Sequence, residues 1–277
     1  MKLTRRPSAR ITTAVVAGAL ALLASACSSG GSGTTTADGV KLVKAGQLTT
    51  CTHLPYPPFQ YEQGNKVVGF DVAMIDLAAA KLGVKQVIVD QPFETIKTGA
   101  VLNAGVCDIA AAGMTITDAR KKNLDFTVPY FNATQAVLVR KGVAVSSLDD
   151  IKAHQLKLGS QSSTTGEDFA HSHGVDSQSF ESSDAELNGL RTGQVDAVIQ
   201  DLPVVQNWLK DPANAQKFQL AANLETGERY GFAVKKGGNP QLLQLVDKAI
   251  AQAKQDGTYK KLYEQGVGPM PAGAEGP

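Results

Sequence analysis

The sequence predicts an α/β fold, in which short apolar strands alternate with amphipathic helices. Apolar runs at residues 86–90 and 195–200 have the length and composition of buried strands. Between such runs, apolar residues recur at helical spacing, as in the helix predicted from Asp71, its expected N-cap, through Leu82. Strands that alternate with helices favour a parallel sheet with helices on both faces.

The chain begins with a segment that is typical of export. Residues 1–26 carry a basic start and then a long uncharged, mostly apolar run that ends in small residues before Cys27. This pattern indicates a signal peptide and lipidation of Cys27, although plain secretion with an incidental cysteine stays open. Residues 27–40 are rich in Ser, Gly and Thr, which predicts a flexible tether.

Composition limits the classes of protein that fit. The chain has 277 residues, of which 43% are hydrophobic and 19% charged, enough for one or two globular domains. All the charges of residues 1–26 are basic, so the rest is slightly acidic, and it contains no basic block. Nucleic acid and anionic lipid are therefore not expected as partners of the folded part.

One stretch has the features of an anion receptor. The apolar run at residues 109–112 predicts a strand that ends at Gly113. Thr115 and residues 117–118 are typical of a helix start, and Arg120 follows just inside the new helix. Free backbone N–H groups, hydroxyls and a guanidinium together suit a carboxylate. The alternative is an ordinary strand, turn and helix with polar surface residues.

Four short motifs occur in order along the chain: G-F-D at 69–71, G-M-T-I-T-D-A-R at 113–120, D-F-T-V-P-Y-F at 125–131 and D-G-T-Y at 256–259. Together they resemble the bacterial extracellular solute-binding proteins of family 3, the amino-acid receptors of ABC importers. The resemblance implies a periplasmic-binding-protein-like fold of type II, with two α/β lobes, two hinge strands and a ligand cleft between the lobes.

The resemblance also implies how the chain is divided. Residues 41–135 together with 228–268 are expected to form the first lobe, and residues 136–227 the second. Residues 269–277 are expected to be a disordered tail.

In the resembled family, polar residues after the strands bind the backbone groups of an amino acid. Arg120 would form a bidentate pair with the α-carboxylate, and Asp201 would accept hydrogen bonds from the α-ammonium. Thr164 and Thr165 would offer hydroxyls and free N–H groups to the carboxylate. The alternative for Asp201 and for one of the threonines is a helix N-cap.

The remaining predicted contacts lie in the first lobe. Tyr56, on the loop P-Y-P-P-F, would cover the ligand, with Phe93 as a second ring and Gly113 and Thr115 completing the set. His53 occupies a position that is often Asp in relatives that bind basic or amide side chains. Since neither charge state of an imidazole favours a cation, the ligand is predicted to be polar, glutamine or glutamate first.

These features predict a receptor without cofactor or metal. It would bind a free amino acid and deliver it to an ABC transporter permease, as a monomer lipid-anchored to the outer face of the cell membrane, in the periplasmic space. One alternative is a receptor for arginine or lysine. Another is a periplasmic cyclohexadienyl-dehydratase-like enzyme, with Glu62 or Glu94 as the acid. A sensor domain is a third.

The two cysteines of the predicted fold are expected to form a disulfide. Cys51 lies in the first predicted strand and Cys107 opens the strand that leads to Gly113. These strands are neighbours in the resembled fold, and an exported location is oxidising, so a disulfide is favoured over two buried thiols. The pair His171 and His173 is interpreted as a polar helix end instead of a metal site.

Overall fold

A computed structural model of the chain describes residues 34–271 and 274. The strands are β1 (Thr34–Thr35), β2 (Lys41–Leu42), β3 (Gln47–Thr52), β4 (Tyr61–Gln63), β5 (Lys66–Val68), β6 (Lys85–Asp90), β7 (Ile109–Ala110), β8 (Leu124–Phe126), β9 (Phe131–Arg140), β10 (Leu158–Gln161), β11 (Ser177–Phe180), β12 (Ala197–Asp201), β13 (Phe218–Tyr230) and β14 (Ala233–Lys235). The helices are α1 (Phe70–Lys81), α2 (Phe93–Lys97), α3 (Ala100–Asn103), α4 (Asp118–Lys121), α5 (Leu148–Ala153), α6 (Thr165–Ser172), α7 (Ser183–Thr192), α8 (Leu202–Trp208), α9 (Pro212–Lys217), α10 (Pro240–Gln255) and α11 (Thr258–Gly266).

The first lobe is built on a five-stranded sheet in the order β6-β3-β7-β14-β8. Strand β3 is parallel to β6 and β7, as the alternation of strands and helices predicts. Strand β14 is antiparallel to both β7 and β8, so the prediction of a wholly parallel sheet is wrong here. The physical reason is that β14 enters the sheet as the chain returns from the second lobe.

The second lobe is built on a sheet in the order β11-β10-β12-β9-β13. Strands β9 and β13 pair antiparallel from Phe131 opposite Tyr230 to Arg140 opposite Phe218. Because these two strands lead from one sheet to the other, they are the two connections of a two-lobe α/β fold, which confirms the predicted fold class. The lobe boundaries proposed from the sequence stay a prediction.

The ends of the chain differ from expectation where the structure describes them. Residues 34–35 pair with residues 41–42, and Val40 is buried, so the last part of the predicted tether belongs to the fold. The predicted signal peptide and Cys27 lie outside the described residues. At the other end, Met270 of the predicted tail packs against the core.

The segment from Phe93 to Asn103 forms two short helices, α2 and α3. Gly99 separates them in the left-handed conformation, with φ of 76°, which a continuous helix does not accommodate.

Candidate functional site

A cleft with an empty volume of about 350 Å³ lies where strands of both sheets end. In sheets of this kind, ligands bind outside the carboxyl ends of the strands. The cleft is lined by residues of both lobes: His53, Tyr56, Gln60, Phe93, Ala112, Gly113, Thr115, Arg120, Gln161, Thr164, Thr165 and Asp201.

All nine residues predicted from the sequence to bind a ligand line this cleft. Their contact with a ligand stays a prediction, but their convergence is a property of the fold. Three more residues, Gln60, Ala112 and Gln161, line the cleft without having been predicted from the sequence. Gln161 is the last residue of β10, so its strand-end position was a usable signal, whereas nothing local distinguishes Gln60.

Arg120 is a buried cation that forms no ion pair with a carboxylate of the described residues. Its side chain is 7% exposed, and no carboxylate oxygen of the described residues lies within 4.0 Å of it. Nη1 donates to the Thr115 carbonyl at 2.9 Å and Nη2 to the Ser163 carbonyl at 3.4 Å. The guanidinium also lies over the Phe93 ring, 5.3 Å from its centroid. Burial lowers the pKa of Arg120, so an anion in the cleft would relieve an electrostatic cost.

The start of α6 faces Arg120 from the second lobe. Thr164 is its N-cap, and its hydroxyl accepts a hydrogen bond from the Glu167 N–H at 3.3 Å. The Glu167 carboxylate accepts in turn from the Ser163 N–H at 2.7 Å, which closes the start of the helix. The hydroxyl of Thr165 lies 3.4 Å from that of Thr115, across the cleft. Hydroxyls and a helix start thus converge beside a guanidinium, which suits a carboxylate.

Asp201 lies at the carboxyl end of β12 and is 6% exposed. It occupies the N-cap position of α8, but its side chain makes no capping bond, so the interpretation as a side-chain cap is wrong. Its carboxylate instead accepts hydrogen bonds from the Tyr56 hydroxyl at 2.5 Å, from Gln135 Nε2 at 2.5 Å and from the Tyr230 hydroxyl. Burial raises the pKa of Asp201 to about 6, with a further contribution from the charge of Glu228, against the effect of these hydrogen bonds.

Tyr56 reaches from the first lobe to the second. Its hydroxyl lies 2.8 Å from Gln200 Oε1 as well as 2.5 Å from Asp201 Oδ2. Burial raises the pKa of Tyr56, and the charge of Asp201 adds to the shift. Phe59, on the same loop, is fully buried and packs against Phe131 with ring centroids 4.9 Å apart, as expected for a core residue.

His53 also bridges the lobes. Its Nδ1 lies 3.0 Å from the Gln91 carbonyl oxygen and its Nε2 lies 3.2 Å from the Glu181 carbonyl oxygen. With Ser183 Oγ donating to the Pro55 carbonyl at 2.9 Å, these contacts hold the two walls of the cleft together. The ring is therefore occupied by backbone groups, which leaves less of it for a ligand side chain than the sequence suggested.

Asp71 positions the site and does not cap α1. The N-cap of α1 is Gly69, and Asp71 is buried within the first turn, so the prediction of an N-cap is wrong. Its carboxylate accepts hydrogen bonds from the Gly113 N–H at 2.8 Å and from the Tyr130 hydroxyl at 2.6 Å. Burial raises the pKa of Asp71 to about 7, because desolvation outweighs both hydrogen bonds. Asp71 thereby fixes the strand end from which Gly113 and Thr115 enter the cleft.

Cys51 and Cys107 form a disulfide, with Cα atoms 5.7 Å apart, which confirms the predicted pairing. It joins β3 to the segment that leads into β7, the strand that ends at the cleft. Within the described residues, no group of three or more His, Cys, Asp or Glu side chains is arranged to hold a metal ion. None of the described helices is long and apolar enough to cross a membrane.

Comparisons with known proteins agree with this geometry. A family model for the bacterial extracellular solute-binding proteins of family 3 matches residues 48–268. A probable histidine-binding protein of Neisseria gonorrhoeae is 36% identical over 215 residues, which cover 75% of this chain and 78% of that protein.

Solved structures of amino-acid-binding proteins are also similar to this chain. An ancestral arginine-binding protein bound to glutamine is 39% identical with a TM-score of 0.74, and the match covers 80% of this chain and 98% of that chain. An ancestral amino acid-binding protein described as a precursor of cyclohexadienyl dehydratase is 34% identical, with a TM-score of 0.73 and coverage of 80% and 96%. The chain therefore belongs to the bacterial extracellular solute-binding proteins of family 3.

Proposed function

We propose that this protein is a receptor that closes on a free α-amino acid with a polar side chain, glutamine or glutamate first, and delivers it to the permease of an ABC importer. The observation that carries the proposal is the buried Arg120, which has no carboxylate partner among the described residues and faces hydroxyls and a helix start. The α-carboxylate of an amino acid would supply the missing anion.

The opposite end of the ligand backbone would meet Asp201. A zwitterion placed between Arg120 and Asp201 leaves neither charge unpaired when water is excluded, so closure does not strand a buried ion. Since contacts come from both lobes, the ligand favours the closed arrangement over an open one. This is the behaviour that a transport receptor needs.

The charge of the lining favours a ligand with a neutral side chain. Among the described residues that line the cleft, Asp201 is the only acidic one, and it is engaged by the α-ammonium in this proposal. An arginine or lysine side chain would bring a second cation that no carboxylate of the lining balances. The structure of an ancestral arginine-binding protein with glutamine bound is compatible with this choice.

A basic amino acid is the second candidate ligand. Relatives and structural neighbours include arginine-binding proteins, among them one of Bacillus subtilis that is 26% identical over 253 residues. Binding of arginine in preference to glutamine would favour this candidate and would show that the argument from the lining, and from His53, is wrong.

An enzyme on the same fold is the remaining class. Its support is the likeness to a precursor of cyclohexadienyl dehydratase. Neither Glu62 nor Glu94 is among the residues that line the cleft. Glu62 is exposed on β4, and the Glu94 carboxylate accepts a hydrogen bond from Ser163 Oγ and lies 3.2 Å from Lys97 Nζ. Turnover of prephenate by the purified protein would establish the enzyme in place of the receptor.

The proposal includes a monomeric state and a lipid anchor at Cys27. The lipid anchor is proposed from the small residues before Cys27 and the Ser- and Gly-rich segment that follows. Fractionation of cells tests the anchor: the protein should sediment with membranes, and Cys27→Ala should release it.

Calorimetry against the twenty amino acids tests the receptor. We expect one or a few polar amino acids to bind, and Arg120→Ala to weaken binding by at least about a hundredfold, since it removes a buried charge-assisted pair. Arg229→Ala is the matched control, because that arginine is exposed and lies outside the cleft lining. No binding by any amino acid, or equal binding in Arg120→Ala and the control, would refute the proposal.

A further inference from the structure

Two glutamine side chains of the cleft lining, one from each lobe, each have one end of the amide without a hydrogen-bond partner among the described residues. Gln60, from the first lobe, is 1% exposed, and its Nε2 donates to the His53 carbonyl at 3.4 Å. Its Oε1 is buried and has no hydrogen-bond partner in the described part of the chain. Reversing the amide would set Oε1 against the His53 carbonyl oxygen, so the observed orientation is the favourable one. Oε1 of Gln60 is therefore available to accept a hydrogen bond.

Gln161, from the second lobe, has the opposite polarity. It is 2% exposed, and its Oε1 accepts from Gln200 Nε2 at 3.4 Å. Its Nε2 donates no hydrogen bond to any residue that the structure describes. With Oε1 directed at Gln200, the end of Gln161 that remains available is a donor.

The orientation of Gln200 is set by its other neighbours. Its Nε2 donates to Oε2 of the fully buried Glu186 at 2.8 Å. Its Oε1 lies 2.8 Å from the Tyr56 hydroxyl and accepts from the Asp201 N–H at 2.8 Å. Because an acceptor holds one end of the Gln200 amide and donors hold the other, Gln200 presents its N–H₂ to Gln161. Glu186 is thus a positioning residue that decides which end of Gln161 faces the cleft.

We propose that Gln60 and Gln161 select a carboxamide side chain, which makes the protein a receptor for glutamine or asparagine in preference to glutamate or arginine. This inference rests on the proposed function. A carboxamide carries one acceptor and two donors, so its oxygen pairs with Gln161 Nε2 and its nitrogen with Gln60 Oε1. A glutamate carboxylate has only acceptors and leaves Gln60 Oε1 unpaired. An arginine guanidinium has only donors and leaves Gln161 Nε2 unpaired.

In a complex with glutamate or arginine, one of the two glutamines would keep a polar atom without a hydrogen-bond partner. The free-energy cost of that unpaired atom would make the affinity for these ligands lower than the affinity for glutamine. Because the two glutamines come from opposite lobes, both are satisfied together only when the cleft is closed. The ligand side chain is therefore selected in the same step in which the cleft closes.

The wild-type protein tests the inference directly by calorimetry with glutamine, glutamate, arginine and the 5-methyl ester of glutamate. The ester keeps the side-chain carbonyl but lacks the N–H₂ group. We expect glutamine to bind about tenfold tighter than each of the others, the effect of one unpaired buried group. The proposed selection of a carboxamide would be refuted if the ester bound as tightly as glutamine. It would also be refuted if glutamate or arginine bound as tightly as glutamine or more tightly. Either result would still be consistent with an amino-acid receptor. No binding by any amino acid would instead remove the proposed function itself.

Substitutions locate the effect. Gln161→Glu replaces the free donor by an acceptor, so it should weaken glutamine about tenfold and improve arginine. Glu186→Leu removes the acceptor that orients Gln200, so it should shrink the preference for glutamine over glutamate while both still bind. Gln178→Glu makes the same chemical change at an exposed position of β11 and should alter neither ranking.

An unchanged ranking of ligands in a folded Gln161→Glu protein, verified by its thermal melt, would refute the role of Gln161. If that variant does not fold, the ligand series on the wild-type protein still decides the inference.

Discussion

The affinity for a zwitterionic ligand should fall when the solution is acidified, because Asp201 must be ionised to pair with the α-ammonium. The pKa of Asp201 is raised from 3.8 to about 6, first by burial and then by the charge of Glu228. A raised pKa means that the carboxyl holds its proton more tightly here than in an exposed aspartate. The ligand ammonium competes with that proton, so binding is strongest above pH 6 and is lost as the pH falls through about 6.

The size of the effect follows from the pKa. At pH 8 nearly all molecules carry an ionised Asp201, whereas at pH 5 only about one in ten does. The apparent dissociation constant should therefore rise about tenfold between pH 8 and pH 5, a change of about 1.4 kcal/mol. The α-carboxylate and α-ammonium of the ligand keep their charges throughout this range.

Calorimetry with glutamine at several pH values between 5 and 8 measures this dependence. Asp201→Asn should bind more weakly and with a flat pH profile. His53→Gln, a change elsewhere in the cleft lining, should keep the loss of affinity at low pH. A dissociation constant that stays constant or falls from pH 8 to pH 5, or a slope that persists in Asp201→Asn, would refute the assignment of Asp201 to the ammonium.

Three further predictions concern the scaffold of the cleft. Replacing Cys51 and Cys107 together by alanine should lower the free energy of unfolding by about 4 kcal/mol, because the disulfide closes a loop with a sequence separation of 56 residues. The melting temperature should fall by about 8–16 °C. An unchanged melting temperature would contradict this prediction. Asp71→Asn should cost about 1–3 kcal/mol in denaturant unfolding at pH 8, because an amide cannot accept from both donors; wild-type stability would disprove the positioning role. Gly113→Ala places a Cβ 2.9 Å from Tyr56 Cε1 at a φ of 55°, so ligand affinity should drop at least about tenfold, with about 1–2 kcal/mol of strain; full affinity would show that the ring is free to move.

Much of the fold was predictable because its signals are local. The apolar runs that become β6, β7 and β12 can be read from the chain. So can the helix caps at Thr117 and Thr164, whose hydroxyls accept hydrogen bonds from N–H groups three residues further on. The antiparallel direction of β14 was not readable, since it depends on the chain returning from the second lobe. The buried role of Asp71 was also missed, because an acid at a helix start favours capping and its real partners are 42 and 59 residues away.

By itself, the sequence identified nine of the residues that line the cleft but not Gln60, Ala112 or Gln161. A polar residue that follows a buried strand is carried to the carboxyl edge of its sheet wherever the strand lies, so Tyr56, Gly113, Arg120 and Asp201 were predictable. Only the tertiary structure decided how these groups are engaged. The hydrogen bonds of Tyr56 to Asp201, the two carbonyls around His53 and the orientation of the lining amides all join residues that are distant in the chain. An amide or an imidazole has no fixed polarity of its own, because its neighbours in space decide which atom is left to bind.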